Sequence, residues 1–205
     1  MQTLDITTTE ETIKDSLKRS MSYTEYSALI DTLVEEHTTT GNEKTAEQIE
    51  FTGLNQKRMK RWDKTLNVSE EDKHVISQYD KKTTWLVLTE SWCGDAAHIV
   101  PAIHKVAEQN PSINLRLVIR DENEALMNHF LTNGGKAIPK LIALDENNQV
   151  ITTFGPRPKL LTQIVEDFKA KFGKLTPEFK HELQVWYNKD KGQSTIEDLR
   201  EVLGN

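Results

Sequence analysis

From residue 84 onward the hydrophobic period alternates, and this alternation constrains the fold more than any other feature of the chain. Thr84-Trp85-Leu86-Val87-Leu88-Thr89 is a nearly continuous apolar run of strand-forming residues. Such a run fits a central strand covered on both faces. Over residues 94–109 the period becomes helical, with Ala96, Ile99, Val100, Ile103 and Val106 sharing a face. A second strand follows, in which Ile113, Leu115 and Leu117 alternate, and residues 122–131 read as a short helix. Residues 141–144 and 150–154 form two strands around Asp145-Glu146-Asn147-Asn148, a hairpin-type turn. Pro158 then opens a helix with Leu161, Ile164, Val165, Phe168 and Phe172 on one face. The first two strands need a right-handed crossover and therefore lie parallel, whereas the last two are antiparallel. The expected fold class is α/β, a mixed central sheet flanked by helices.

The residues on either side of this unit read as helices. Ser22 with Glu25 is a capping box ahead of Tyr26, Leu29, Ile30, Leu33 and Val34, and Gly41 is the expected stop. A helix after Asn42 carries Ile49, Leu54, Met59, Trp62 and Leu66, and another from Ser69 carries Val75, Ile76 and Tyr79. Beyond Gly173, one helix carries Phe179, Leu183 and Trp186. The last is expected to be capped by Ser194 with Glu197 and carries Ile196, Leu199 and Val202. The expected organisation is a helical N-terminal extension over 1–81 packed on the core, a core over 82–172, and a helical C-terminal extension over 173–205.

Composition narrows the function classes. The 205 residues are 36% hydrophobic and 28% charged, which suits a globular chain. Net charge is −6 with no basic block, which argues against nucleic acid as a partner. No apolar run is long enough to span a bilayer. Residues 1–11 lack the positive leader and apolar stretch of a secretory signal, so the expectation is a cytoplasmic protein without a membrane partner. A lone cysteine, Cys93, excludes an internal disulfide but not a mixed one. The six histidines show no metal-ligand spacing.

Cys93 lies in Trp92-Cys93-Gly94-Asp95-Ala96, between the first strand and the helix that follows. This segment resembles the thioredoxin active site, Trp-Cys-Gly-Pro-Cys, with Asp95 for the proline and Ala96 for the second cysteine. Pro101 stands eight positions after Cys93, Ile138-Pro139 precedes a strand, and Gly155 follows that proline by sixteen. All three match thioredoxin landmarks in order. The chain is similar to bacterial thioredoxin-family proteins with long helical N-terminal extensions, and the resemblance covers roughly residues 82–172. It implies Cys93 as the catalytic residue, Trp92, Gly94, Asp95 and Ala96 as the active-site segment, and a cis bond at Ile138-Pro139 lining a substrate groove.

Physical chemistry gives these residues roles. Unpaired N–H groups and the helix dipole favour a thiolate at a helix N-terminus, whereas Asp95 disfavours one. Lys136 and Arg120 are candidate electrostatic partners of a thiolate or of a substrate carboxylate. Gly134 and Gly135 permit close approach of the chain beside Pro139. His98 and His104 are expected at the surface, and Arg157, between Pro156 and Pro158, in a surface turn or at the rim of the site. Ala96 cannot resolve a mixed disulfide, and Val87 stands where thioredoxins bury an acid.

The expected function is thiol–disulfide exchange of monothiol type. A mixed disulfide at Cys93 would be resolved by an external thiol such as glutathione, with a disulfide-containing protein or a low-molecular-weight thiol as partner. Two alternatives stand beside it: a non-catalytic protein-binding module on the same fold, and a glutaredoxin-like iron–sulfur carrier. No resident cofactor is expected.

Overall fold

The computed structural model describes residues 8–204; the first seven residues of the expected N-terminal extension, and most of the segment weighed as a leader, lie outside it. The central sheet has four strands, β1 (Thr83–Thr89), β2 (Ile113–Ile119), β3 (Lys140–Leu144) and β4 (Val150–Phe154), in the order β2-β1-β3-β4. β1 pairs parallel with β2 and antiparallel with β3, which pairs antiparallel with β4. Trp85, Leu86, Val87 and Leu88 have no solvent exposure, because both faces of β1 are covered. The fold is thioredoxin-like, with helices at both ends of the chain.

Four helices precede the sheet: α1 (Thr9–Lys18), α2 (Tyr23–Glu35), α3 (Ala46–Thr65) and α4 (Glu70–Ser77). Capping boxes start the first three, at Thr8–Glu11, Ser22–Glu25 and Thr45–Gln48. α2 stops at Glu35, well before Gly41, where His37 takes a left-handed conformation (φ 52°). Between α1 and α2, Met21 exchanges two backbone hydrogen bonds with Leu117 on the outer edge of β2. That bridge occupies an otherwise open sheet edge.

α5 (Ala96–Ala107) follows β1, and α6 (Glu124–His129), preceded by one 3-10 turn, follows β2. Ile99, Val100, Ile103 and Val106 of α5 are fully buried between the sheet and the outer helices. α7 (Lys159–Phe172), α8 (Pro177–Asp190) and α9 (Gln193–Val202) complete the chain. α9 buries Ile196 and Leu199 and packs on α5 and β4. The expected Ser194 cap is absent: Gly192 is the N-cap residue of α9, and Ser194 donates to Asp190 instead. No described helix is long and apolar enough to cross a membrane.

On two helices the buried face differs in part from the one expected, although Met59, Trp62, Leu66, Phe179 and Leu183 are buried as expected. On α3, Leu54 is 41% exposed, whereas Thr52, Asn55, Met59 and Trp62 are buried. On α8, the buried stripe is Phe179, Leu183 and Tyr187, and Trp186 is only half-buried. In both cases a polar group enters the buried face because it has a hydrogen-bond partner there.

Candidate functional site

The end of β1 and the start of α5 are joined by Glu90-Ser91-Trp92-Cys93-Gly94-Asp95, and this turn is held from several sides. Cys93 N–H donates to the Glu90 carbonyl at 3.2 Å, and Ala97 N–H to the Cys93 carbonyl at 3.2 Å. The Asn55 amide of α3 donates to the Ser91 carbonyl at 2.9 Å. The Ser91 hydroxyl meets Thr52 at 2.9 Å and Thr39 at 3.1 Å, and these two meet each other at 2.7 Å. Thr40 donates through its hydroxyl to Glu90 at 2.5 Å, and the Asp121 N–H donates to the other Glu90 oxygen at 2.9 Å. Burial raises the Glu90 carboxyl above its ordinary range against these two bonds.

Cys93 is 8% exposed. Its thiol donates to the Ile138 carbonyl at 3.5 Å, beside the cis Ile138–Pro139 bond. The loop carrying that bond is fixed against the end of β4 by Gly155 (φ +108°). A Cβ there would sit 2.2 Å from the Pro139 carbonyl oxygen, so only glycine fits. The backbone N–H groups of Ala96 and Asp95 favour the thiolate, as a helix N-terminus should. Burial outweighs them, and the Asp95 charge adds to burial, so the thiol is pushed up to about 12. The resting group is a protonated thiol, not a thiolate.

Asp95 carries the connections. Its carboxylate pairs with Arg157 at 2.5 Å and accepts from the Tyr187 hydroxyl at 2.8 Å. The guanidinium beside Cys93 is therefore that of Arg157. Arg120 pairs with Asp121 at 2.7 Å and lies 5.1 Å over the Trp92 ring, and Lys136 pairs with Glu124. Neither meets the sulfur. The Trp92 indole nitrogen is buried without a hydrogen-bond partner among the described residues. Ala96 is 2% exposed on the apolar face of α5, and Val87 is fully buried. Gly134 and Gly135 lie exposed in the loop before Ile138.

His98 corrects the expectation of a surface histidine. It is 4% exposed, because α3 and α8 close over it. Trp62 of α3 donates to His98 Nδ1 at 2.8 Å, which places the ring proton on Nε2, facing the Gln184 amide oxygen at 2.8 Å. The Tyr187 ring stacks on the imidazole at 4.4 Å, with 6° between planes. Burial lowers the His98 pKa to about 4 and keeps the ring neutral. His104 is also partly covered, stacked on Tyr23 at 3.9 Å.

Thr52, Asn55, Gln184 and Tyr187 are thus parts of the site that the sequence reading passed over. Spacing alone would have found Tyr187, since Phe179, Leu183 and Tyr187 recur every four residues. No sequence signal marks the others. Among the described residues, no three His, Cys, Asp or Glu side chains gather as metal ligands would.

Comparison with known proteins bears on this arrangement. A family model described as thioredoxin matches residues 41–169, more than half of the chain. The match includes α3 and ends before α8. No match was found among curated proteins. Among solved structures, the chain is similar to a protein of unknown function from Pseudomonas aeruginosa, with a TM-score of 0.58 and 18% identity, over 76% of this chain and 89% of that one. It is also similar to an HIV epitope-scaffold protein, with a TM-score of 0.56 and 20% identity, over 76% of this chain and 90% of that one. At these identities the likeness speaks to the fold.

Proposed function

We propose that this chain, which belongs to the thioredoxin family, carries out thiol–disulfide exchange of monothiol type at Cys93. The observation that supports this is the seating of the sulfur. It lies at the start of α5, where the Asp95 and Ala96 backbone favours its thiolate, and against the Ile138 carbonyl, with Ala96 one turn on where a resolving thiol would stand. Deprotonated Cys93 attacks one sulfur of a disulfide. The S–S bond breaks, a Cys93 mixed disulfide forms, and the departing thiolate takes up a proton from water. The thiolate of a low-molecular-weight thiol then attacks the Cys93 mixed disulfide and regenerates Cys93. The electrons come from that external thiol, which ends in a disulfide.

The external thiol must diffuse in, whereas a tethered second cysteine acts at high effective concentration. Purified protein is therefore expected to form a glutathione adduct with oxidised glutathione, detected by mass. It is expected to reduce insulin far more slowly than a dithiol thioredoxin does. Ala96→Cys is expected to recover part of that activity. Brisk insulin reduction by the unmodified chain would overturn the monothiol reading.

A binding module is the competing reading, favoured by the burial and high pKa of Cys93. It predicts no glutathione adduct even under conditions where iodoacetamide alkylates Cys93.

A further inference from the structure

α8 is attached to the molecule unlike its neighbours. Its contacts with the Cys93 turn run through side chains of one face. Tyr187 donates to Asp95 and stacks on His98, while Gln184 accepts from His98. The Gln184 amide nitrogen would lie 3.5 Å from a Cβ placed on Gly94, so it roofs the residue next to Cys93. Farther up the helix, Phe179 stacks on Phe168 of α7 at 3.7 Å. The three buried residues of α8 are Phe179, Leu183 and Tyr187, and its outer face is charged and exposed.

The connections of α8 to α7 and to α9 each pass through left-handed backbone, the first at Gly173, which ends α7 four residues before Pro177, and the second at Lys191, the C-cap of α8. Gly173 (φ +78°) has open space where a side chain would be, and Lys191 (φ 55°) precedes Gly192 (φ +80°). The helices on either side are also packed on the core. α7 buries Leu161 and Val165, and α9 buries Ile196 and Leu199. At the second joint, a Cβ on Gly192 would lie 2.9 Å from Leu66, so this joint is clamped to the core. α8 is a strap between two anchored helices.

We propose that α8 is a gate over Cys93, which lifts away through Gly173 and the Lys191–Gly192 joint to admit a disulfide substrate. The gate rests on the exchange reading of Cys93, but it is tested without it. In the closed form Tyr187 and Gln184 shut the mouth of the site; in the open form the sulfur meets water and the Asp95 and Ala96 backbone stabilises the thiolate. Local opening of this kind governs the reactivity of a buried group without unfolding the rest of the chain.

The test is the rate at which iodoacetamide alkylates the sole cysteine, read by mass. It is compared between the unmodified chain and the double variant Tyr187→Phe with Gln184→Ala. Loss of the hydroxyl bond to Asp95 and the amide bond to His98 is expected to speed alkylation by about tenfold. Rates in urea should be equal. Hydrogen exchange is expected to quicken over Pro177–Asp190 and to stay unchanged over Ala96–Ala107. In the unmodified chain, α8 amides should already exchange before those of α5 and α9. An unchanged alkylation rate, faster exchange throughout α5, or α8 amides protected as long as those of α5 would each overturn the gate. If the double variant alkylates faster yet takes up no glutathione from oxidised glutathione, the exchange reading fails and the gate stands.

Discussion

Two helices cover the Cys93 turn, and they are bound to it by different chemistry. α3 enters through buried polar groups: Thr52 meets the Ser91 hydroxyl, and Asn55 bonds the Ser91 carbonyl. Both residues are essentially without solvent exposure. α8 closes the other side with a tyrosine and a glutamine whose partners, Asp95 and His98, are themselves side chains. A buried backbone carbonyl that loses its donor is held in place and retains the full desolvation cost, whereas side-chain partners can turn toward water once the helix between them lifts. α3 is therefore part of the core and α8 a cover laid upon it.

His98 is where the two helices meet, and acid should separate them. Its folded pKa of about 4 lies below the unfolded value of 6.5. The stability this contributes is fully present above pH 6.5 and is lost as pH falls through 4. In full it amounts to about 3 kcal/mol. Protonation gives Nδ1 a hydrogen, so it can no longer accept from Trp62, while Nε2–H still donates to Gln184. The bond to α3 is broken and the bond to α8 is kept. Urea denaturation at pH 7, 5.5 and 4.5 should show the unmodified chain losing stability faster than His98→Gln. Parallel pH profiles for the two would mean that His98 titrates normally and is not closed in from both sides.

The next effect is on α3 alone. Asn55→Leu strands the Ser91 carbonyl and removes the acceptor of the Arg58 guanidinium. A loss of about 2 kcal/mol is expected. It should be read as a lower denaturation midpoint at an unchanged m-value. Tyr187→Phe by itself should cost less than half as much, because the ring keeps its stack on His98. Equal costs for the two variants would erase the distinction between core and cover.

The contrast between the helices also explains what the sequence reveals. β1, α5 and the Ile138-Pro139 turn are legible because apolar period and proline position are local signals. Three capping boxes mark helix starts equally well, although in the sequence only that of Ser22 stands directly ahead of a clear apolar period. The inner face of α3 is not legible, since Thr52 and Asn55 read as solvent positions until Ser91 is seen beside them. His98 misleads for the same reason: it shares no helical face with Cys93, and its partners lie on α3 and α8, at Trp62 and Gln184. The protonation of Cys93 was undecidable for a different reason. The helix dipole and Asp95 oppose each other, and the deciding factor, burial, is set by packing in the folded chain.

The smallest effect separates the two causes of the raised Cys93 pKa, burial and the charge of Asp95. Asp95→Asn keeps the size of the side chain and an oxygen for the Tyr187 hydroxyl, and removes the charge. The thiol pKa is expected to fall because a repelling anion is gone and Arg157 is left without its partner. Burial comes first among the causes, so the pKa should remain above the free-cysteine value of about 8.5. Thiolate absorbance against pH measures it directly, as this is the only cysteine. Stability gives a second reading. A folded pKa raised to about 12 contributes stability that is fully present below about pH 8.5 and is lost as pH rises toward 12. Asp95→Asn should therefore lose less stability between pH 8 and 10.5 than the unmodified chain. A pKa below 8.5 in Asp95→Asn would make charge the controlling factor. Burial would then count for little in keeping Cys93 protonated, because Asp95→Asn leaves the packing around the sulfur in place.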